Sequence, residues 1–303
     1  MLWTEKYRPT KLQEIIGQNN FVLDAQSWKE EGNMPNVLIH GNSGNGKTTA
    51  GIVLGREILG DNFTDNFLEI NASDDRRLEN VRTTIKQAAQ SGTIGGAPFR
   101  ICLLDELEGM TTDAQNALKR IMERYSDNIR FIITCNDRNK IIFALQSRCA
   151  NYLFSPLSSD NMLIVLNSII KSEKLSNFSQ EDLGSFIYSM QGDMRRAITE
   201  LQAAKSSNTT LSKQVTISLE DYENILNKII NKNTTVLGEI HELLYQGRTV
   251  RDICNGLHDV VINSEGLDSN LKFKLLRTIG ESEWRSNSMT PKVLVSWMMG
   301  QLL

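Results

Sequence analysis

The sequence has no C-x-x-C pair, no histidine cluster and no apolar run approaching the roughly 18 residues of a membrane span. Its four cysteines, Cys102, Cys135, Cys149 and Cys254, are scattered, and three lie in or beside apolar runs. That placement reads as buried free thiols and excludes a zinc module or a disulfide framework. The amino terminus lacks an apolar core of signal-peptide length. Neither charge sign dominates: 33 basic and 36 acidic residues give a net charge of −3, interspersed along the chain. A generally basic nucleic-acid coat is thereby excluded, while a local basic surface is not. No internal repeat or low-complexity tract is present. These absences lead us to expect a soluble, intracellular protein with no membrane partner, nuclear in a eukaryote and otherwise cytoplasmic.

What is present is ample apolar material, 40% of 303 residues, enough for two domains or three small ones. From about 36 to 154, short apolar runs at 36–40, 67–70, 100–104, 129–134 and 151–154 alternate with helical patterns near 47–59, 77–90, 111–125 and 138–146. Such alternation predicts a parallel sheet covered on both faces. After Pro156 strand signals stop. Helical spacing recurs over 159–171, 180–189 and 194–204, then a polar stretch at 205–213 favours turns. Helical patterns return at 219–230, 234–246, 249–263, 268–281 and 290–303. The expectation is an α/β nucleotide-binding domain over 1–154, a small helical domain over 155–212 and a second, all-helical domain over 213–303.

The strongest local signal is Gly41-Asn42-Ser43-Gly44-Asn45-Gly46-Lys47-Thr48-Thr49. It meets every fixed position of the phosphate-loop pattern G-x-x-x-x-G-K-[ST], between the apolar Val37-Leu38-Ile39 and a helical run. Glycines at 41, 44 and 46 let the backbone turn its N–H groups onto phosphates. Lys47 is expected on the outer phosphates, and the Thr48 hydroxyl on magnesium. About 55 residues on, a second apolar run ends in Asp105-Glu106. Asp105 is expected to serve magnesium, directly or through water, and Glu106 to orient or deprotonate an attacking water. Alone, the two acids would read as a solvated turn; their pairing with the loop makes them a site for ATP and Mg2+. Asn136, ending the run Phe131-Ile132-Ile133-Thr134-Cys135, could hold that water, or it could be an ordinary turn residue.

Taken together, the motifs resemble the small subunits of replication factor C, clamp loaders of the AAA+ ATPase superfamily. The resemblance is carried by Trp3-Thr4-Glu5-Lys6-Tyr7-Arg8-Pro9, Ile16-Gly17-Gln18, the phosphate loop and Leu68-Glu69-Ile70-Asn71-Ala72-Ser73-Asp74-Asp75. It continues through Leu104-Asp105-Glu106, Gln115-Asn116-Ala117-Leu118-Lys119-Arg120, Gln146-Ser147-Arg148-Cys149 and Gly192-Asp193-Met194-Arg195. It covers about 1–205 strongly and is architectural beyond. It implies an AAA+ phosphate-loop domain, a helical lid and a helical collar. It also implies an adenine pocket lined by the segments at Trp3, Tyr7, Arg8, Pro9, Ile16 and Gly17. Asn136 resembles a sensor of the terminal phosphate, and Arg195 a second sensor in the same subunit. Arg148 resembles an arginine finger acting in trans on a neighbour's ATP. Read singly, the two arginines would be a surface arginine and a salt-bridged helix-start arginine.

The implied partners are other clamp-loader subunits in a five-subunit hetero-oligomer, a sliding clamp and primer–template DNA. In the family, the helix carrying Arg82 and Lys86, at i, i+4, tracks the DNA backbone; a solvated face paired with Glu79 is the alternative. The apolar stretch from Val293 to Met299 is either collar interface or bundle core. Two rival functions share the loop and acids: a branch-migration or recombination-associated ATPase, and a scaffold subunit that binds ATP without hydrolysing it. The chain departs from the family at Asn42, Ser43 and Asn45, where a proline and a threonine are usual. It departs also at Asp105-Glu106-Leu107-Glu108, where the family reads D-E-A-D, and at Arg77, where a glycine is customary.

Overall fold

The computed structural model describes residues 1–72, 78–175, 180–207, 219–286 and 288–303, except the side chains of 78–82, 180–181, 206–207 and 219–220. Residues 73–77, with Asp74, Asp75, Arg76 and Arg77, and most of the polar stretch at 205–213 lie outside the described residues. So do the side chains of Glu79 and Arg82. The chain forms two compact units, Met1–Leu211 and Ser212–Leu303.

The first unit is built on five strands: β1 (Val37–His40), β2 (Phe67–Asn71), β3 (Arg100–Asp105), β4 (Ile129–Cys135) and β5 (Ala150–Leu153). They pair in parallel in the order β2-β3-β4-β1-β5. The middles of the central strands, at 37–39, 101–104 and 131–133, are apolar because both faces are covered, as parallel sheets require. Val37, Ile39, Leu103 and Ile132 pack on one side with α2 (Asn19–Glu31), α3 (Lys47–Leu59) and Phe63 of the short α4 (Phe63–Asn66). Leu38, Cys102, Leu104, Phe131 and Ile133 pack on the other with α5 (Leu78–Gln90) and α6 (Thr112–Arg124). The edge strands β2 and β5 are only partly buried. This order sets the carboxyl ends of β3, β4 and β1 side by side, so that residues 47, 105 and 136 meet although they are far apart in the chain.

Over 138–146 a single helix is expected, but the chain makes a 3-10 turn at Arg138–Lys140 and then α7 (Phe143–Gln146). The cause is Gln115 on α6, whose buried amide donates to the carbonyls of Met110 and Lys140 and accepts the N–H of Ile142. Those side-chain bonds take the place of helical ones and leave Ile142 extended.

Three helices, α8 (Ser159–Ser172), α9 (Gln180–Met190) and α10 (Met194–Ser207), complete the first unit around Leu166, Ile169, Phe186, Ile187 and Leu201. Trp3, from the short amino-terminal helix α1 (Trp3–Lys6), is part of that core. Among its described residues the second unit has five helices: α11 (Leu219–Ile230), α12 (Val236–Tyr245), α13 (Val250–Asn263), α14 (Ser269–Arg285) and α15 (Pro291–Leu302). In the Val293-to-Met299 stretch, Leu294, Val295, Met298 and Met299 are buried in this unit's own core, and Val293 is exposed. No described helix is long and apolar enough to cross a membrane.

Candidate active site

The loop between β1 and α3 is held by what its neighbours leave room for. Gly41 has φ +142°, and a Cβ there would sit 2.2 Å from the carbonyl oxygen of Phe154. Gly44 has φ +81°, and a Cβ there would sit 2.0 Å from Oδ1 of Asp193, the residue that opens α10. A side chain at Gly41 would collide with the backbone just beyond β5, and one at Gly44 would push the Asp193 side chain off its bond to the Arg196 N–H. Asn45, one of the departures from the family pattern, acquires a role: its buried Nδ2 donates to the Phe154 carbonyl at 2.9 Å. Asn42 and Ser43 are exposed. Helix α3 starts at Lys47, with Thr48 and Thr49 in its first turn, so its free N–H groups and dipole face the loop.

Lys47 is 8% exposed, and all three of its ammonium hydrogens have acceptors. These are the carbonyls of Gly41 and Asn42, each at 2.8 Å, and Oδ1 of Asn136 at 2.9 Å. Burial pushes its pKa below the ordinary lysine value, and the negative charges of Glu108 and Asp105 oppose that. Arg195, at the start of α10, lies near enough that its charge also lowers the lysine pKa.

Asp105 ends β3, where Oδ1 accepts the Thr48 hydroxyl at 2.8 Å and also the buried Thr134 hydroxyl of β4. Its Oδ2 has no hydrogen-bond partner among the described residues. The donor set suits magnesium. Among the described residues no group of three His, Cys, Asp or Glu could hold a metal. Mg2+ needs only one or two protein oxygens when phosphates and water supply the rest. Glu106 follows with φ 56°, a left-handed conformation that costs a non-glycine residue roughly 1 kcal/mol. Its N–H is fixed by the Thr134 hydroxyl at 3.2 Å, and its carboxylate is exposed. Strain of that kind gathers at functional sites.

Sequence reasoning passed over two residues here. Thr134 was legible only as part of a strand, although a lone hydroxyl in the apolar run 131–135 is a signal. Glu108 was noted only as a departure, yet its Oε1 accepts both the main-chain N–H of Asn136 at 2.9 Å and its Nδ2 at 2.7 Å.

Trp3 is buried among α8, α9 and α10, and its N–H donates to Gln202. The Tyr7 hydroxyl donates to Glu173 at 2.6 Å, Arg8 pairs with Glu5, and Pro9 is half-buried. Ile16 is half-buried; a Cβ on Gly17 would meet Leu157 at 2.5 Å, just beyond β5. Arg148 is tied to Glu123 and to the Ala144 carbonyl, and makes no hydrogen bond to the phosphate loop among the described residues. Lys86 is exposed on α5.

Residues 37–157 match the ATPase family associated with various cellular activities (AAA), and residues 217–288 match the replication factor C C-terminal domain. A replication factor C small subunit of Methanoculleus marisnigri is 37% identical over 94% of this chain and 90% of its own length. One of Methanococcus maripaludis is 42% identical over 70% of this chain and 67% of its own length. Among solved structures, the Thermotoga maritima RuvB Holliday junction branch migration motor superposes with a TM-score of 0.55, covering 96% of this chain and 85% of that one. Its identity is 15%, so that likeness speaks for the fold alone. With a nucleotide-binding AAA ATPase domain, the replication factor C carboxyl-terminal domain and these relatives, the chain belongs to the replication factor C small-subunit family and is a clamp-loader ATPase subunit.

Proposed function

We propose that this subunit uses ATP with magnesium to help open a ring-shaped sliding clamp and place it on primer–template DNA. The observation that carries the catalytic part is the convergence of Lys47, Thr48, Asp105 and Asn136 at three adjacent strand ends. Lys47 and the loop N–H groups bind the phosphates. Thr48 and Asp105 hold magnesium, which when bound neutralises charge on the phosphate oxygens. Glu106 orients or deprotonates the attacking water, while Asn136 and Arg195 contact the terminal phosphate. A non-hydrolysing scaffold would have no use for this complete set. The segments at Trp3, Tyr7, Arg8, Pro9, Ile16 and Gly17 frame the adenine, and they pack on the helical subdomain or the chain leading into it. Adenine binding is thereby coupled to the lid.

The assembly is a five-subunit spiral in which ATP favours the gripping state over the relaxed one. Arg148 reaches a neighbour's ATP, and Arg82 and Lys86 contact DNA phosphates, which needs charge and no base readout. The carboxyl-terminal unit is the collar. Phe273 and Trp284, exposed on α14 and eleven residues apart, share one helix face there for a neighbour to cover.

Steady-state ATP hydrolysis by the complex assembled on this chain tests the reading. It is measured with clamp, with primer–template DNA, with both and with neither. We expect the two together to stimulate more than the sum of each, and Lys47→Ala in this chain to diminish the gain. Stimulation by DNA that ignores the clamp would instead place the chain with branch-migration motors.

A further inference from the structure

We propose that Glu108 is a positioning residue for ATP hydrolysis, setting the direction of the Asn136 side-chain amide. The inference rests on the assignment of Asn136 and Lys47 to the phosphate site. An amide is useful as a phosphate sensor only if its N–H group, not its oxygen, faces the anion. Asn136 is exposed at the end of β4, where nothing in the backbone decides which way its amide points.

Two side chains decide it. Lys47 donates to Oδ1 at 2.9 Å, and Oε1 of Glu108 accepts from Nδ2 at 2.7 Å. Flipping the amide would set ammonium against NH2 and carboxylate against carbonyl, two donor–donor and acceptor–acceptor clashes in place of two charged hydrogen bonds. The same Oε1 also takes the Asn136 main-chain N–H, so Glu108 fixes the residue's backbone and side chain together. Lys47 cannot do this alone, because it must turn to the phosphates once ATP arrives. Glu108 is then the partner that stays. The second hydrogen of Nδ2 has no acceptor among the described residues and is the donor left for the terminal phosphate or its attacking water.

An independent sign marks Glu108 as more than structural: its Oε2 is buried with no hydrogen-bond partner among the described residues. A buried carboxylate oxygen left unmatched is unfavourable, and such groups in native proteins call for an explanation. Positioning Asn136 while adding negative charge beside Lys47 supplies one.

The test is a double-mutant cycle in the assembled complex. Single-turnover ATP hydrolysis and nucleotide affinity are read separately, and the rate remaining with Lys47→Ala is subtracted. We expect Glu108→Ala to slow hydrolysis by about tenfold or more while nucleotide affinity changes by less than about threefold. Combined with Asn136→Ala it should do no more harm than Asn136→Ala alone. Glu108→Gln, which keeps an acceptor oxygen and the side-chain length, should recover most of the rate. It also guards against a loss of folding, followed by thermal melting. An undiminished rate in Glu108→Ala, additive losses in the double variant, or a Gln variant as slow as Ala would each overturn the proposal. If Asn136→Ala itself hydrolyses normally, the assignment of Asn136 falls and the proposal with it. If only Glu108→Ala is normal, the assignment stands and the proposal alone is lost.

Discussion

At the scale of single residues, the site depends on hydroxyls as much as on charges. Thr134 is 1% exposed; its Oγ1 donates to Asp105 and accepts the N–H of Glu106, so one atom sets the two acids relative to each other. Thr134→Val keeps the shape and removes both bonds. Hydrogen bonds to charged groups contribute about 1.5–3 kcal/mol each, so hydrolysis should fall by at least about tenfold. Nucleotide affinity should change little, since Lys47 and the loop N–H groups are untouched. Separate measurement of kcat and nucleotide Kd checks this; a loss confined to affinity would mean that Thr134 serves binding. The phosphate loop, Asp105 and Glu106 could be read from the sequence because their residue types sit at fixed spacing. Thr134 and Glu108 could not, because what matters is a contact across adjacent strands. Asn45 was legible only as an oddity, since its partner is a backbone carbonyl 109 residues away.

Whole elements were easiest to read where an apolar run is short and continuous, as in the central strands, or where one face is apolar at a regular period, as in α3, α6 and α13. Helix α2 was not read at all: its buried residues are Phe21 and Ala25, one turn apart, too narrow a stripe to stand out. Helix α1 is only four residues long and depends on tertiary contacts. Its attachment rests on Glu173, just past α8, which accepts from Lys6 at 2.5 Å, Tyr7 at 2.6 Å and Lys205 at 2.6 Å. The hydrogen bonds from Lys205, then Lys6 and Tyr7, lower its pKa from the usual 4.5 to about 2. A depressed carboxylate pKa stabilises the fold above the unfolded value and loses that contribution as pH falls through the folded one. The tie between α1, α8 and α10 should therefore weaken from about pH 4.5 towards pH 2. Acid titration followed by tryptophan fluorescence, with Trp3 in that core, measures it. Glu173→Gln should be less stable at neutral pH and show a shallower acid transition. Identical acid curves for the two proteins would remove Glu173 from the account.

The function proposed for the whole molecule asks for something that its own site does not require: lending a group to a neighbour. Arg148 is exposed just past α7, paired with Glu123 on α6 and with the Ala144 carbonyl. An exposed ion pair of this kind contributes about 0–1 kcal/mol, so it can be exchanged for a phosphate without a large penalty. A guanidinium fits the task because it stays charged and forks onto oxygens. Arg148→Ala should leave nucleotide binding at its own loop and the melting temperature of the chain nearly unchanged. In the assembled complex it should slow single-turnover hydrolysis at the adjoining site, where a finger supplied in trans contributes about 10³–10⁵ in rate. Mixing subunits locates the effect: the defect should follow the interface that carries the substitution, while the altered subunit's own ATP turns over when its other neighbour is intact. A defect that stays with the altered subunit's own nucleotide would mean that Arg148 acts within the subunit, and Glu123 would then be its working partner.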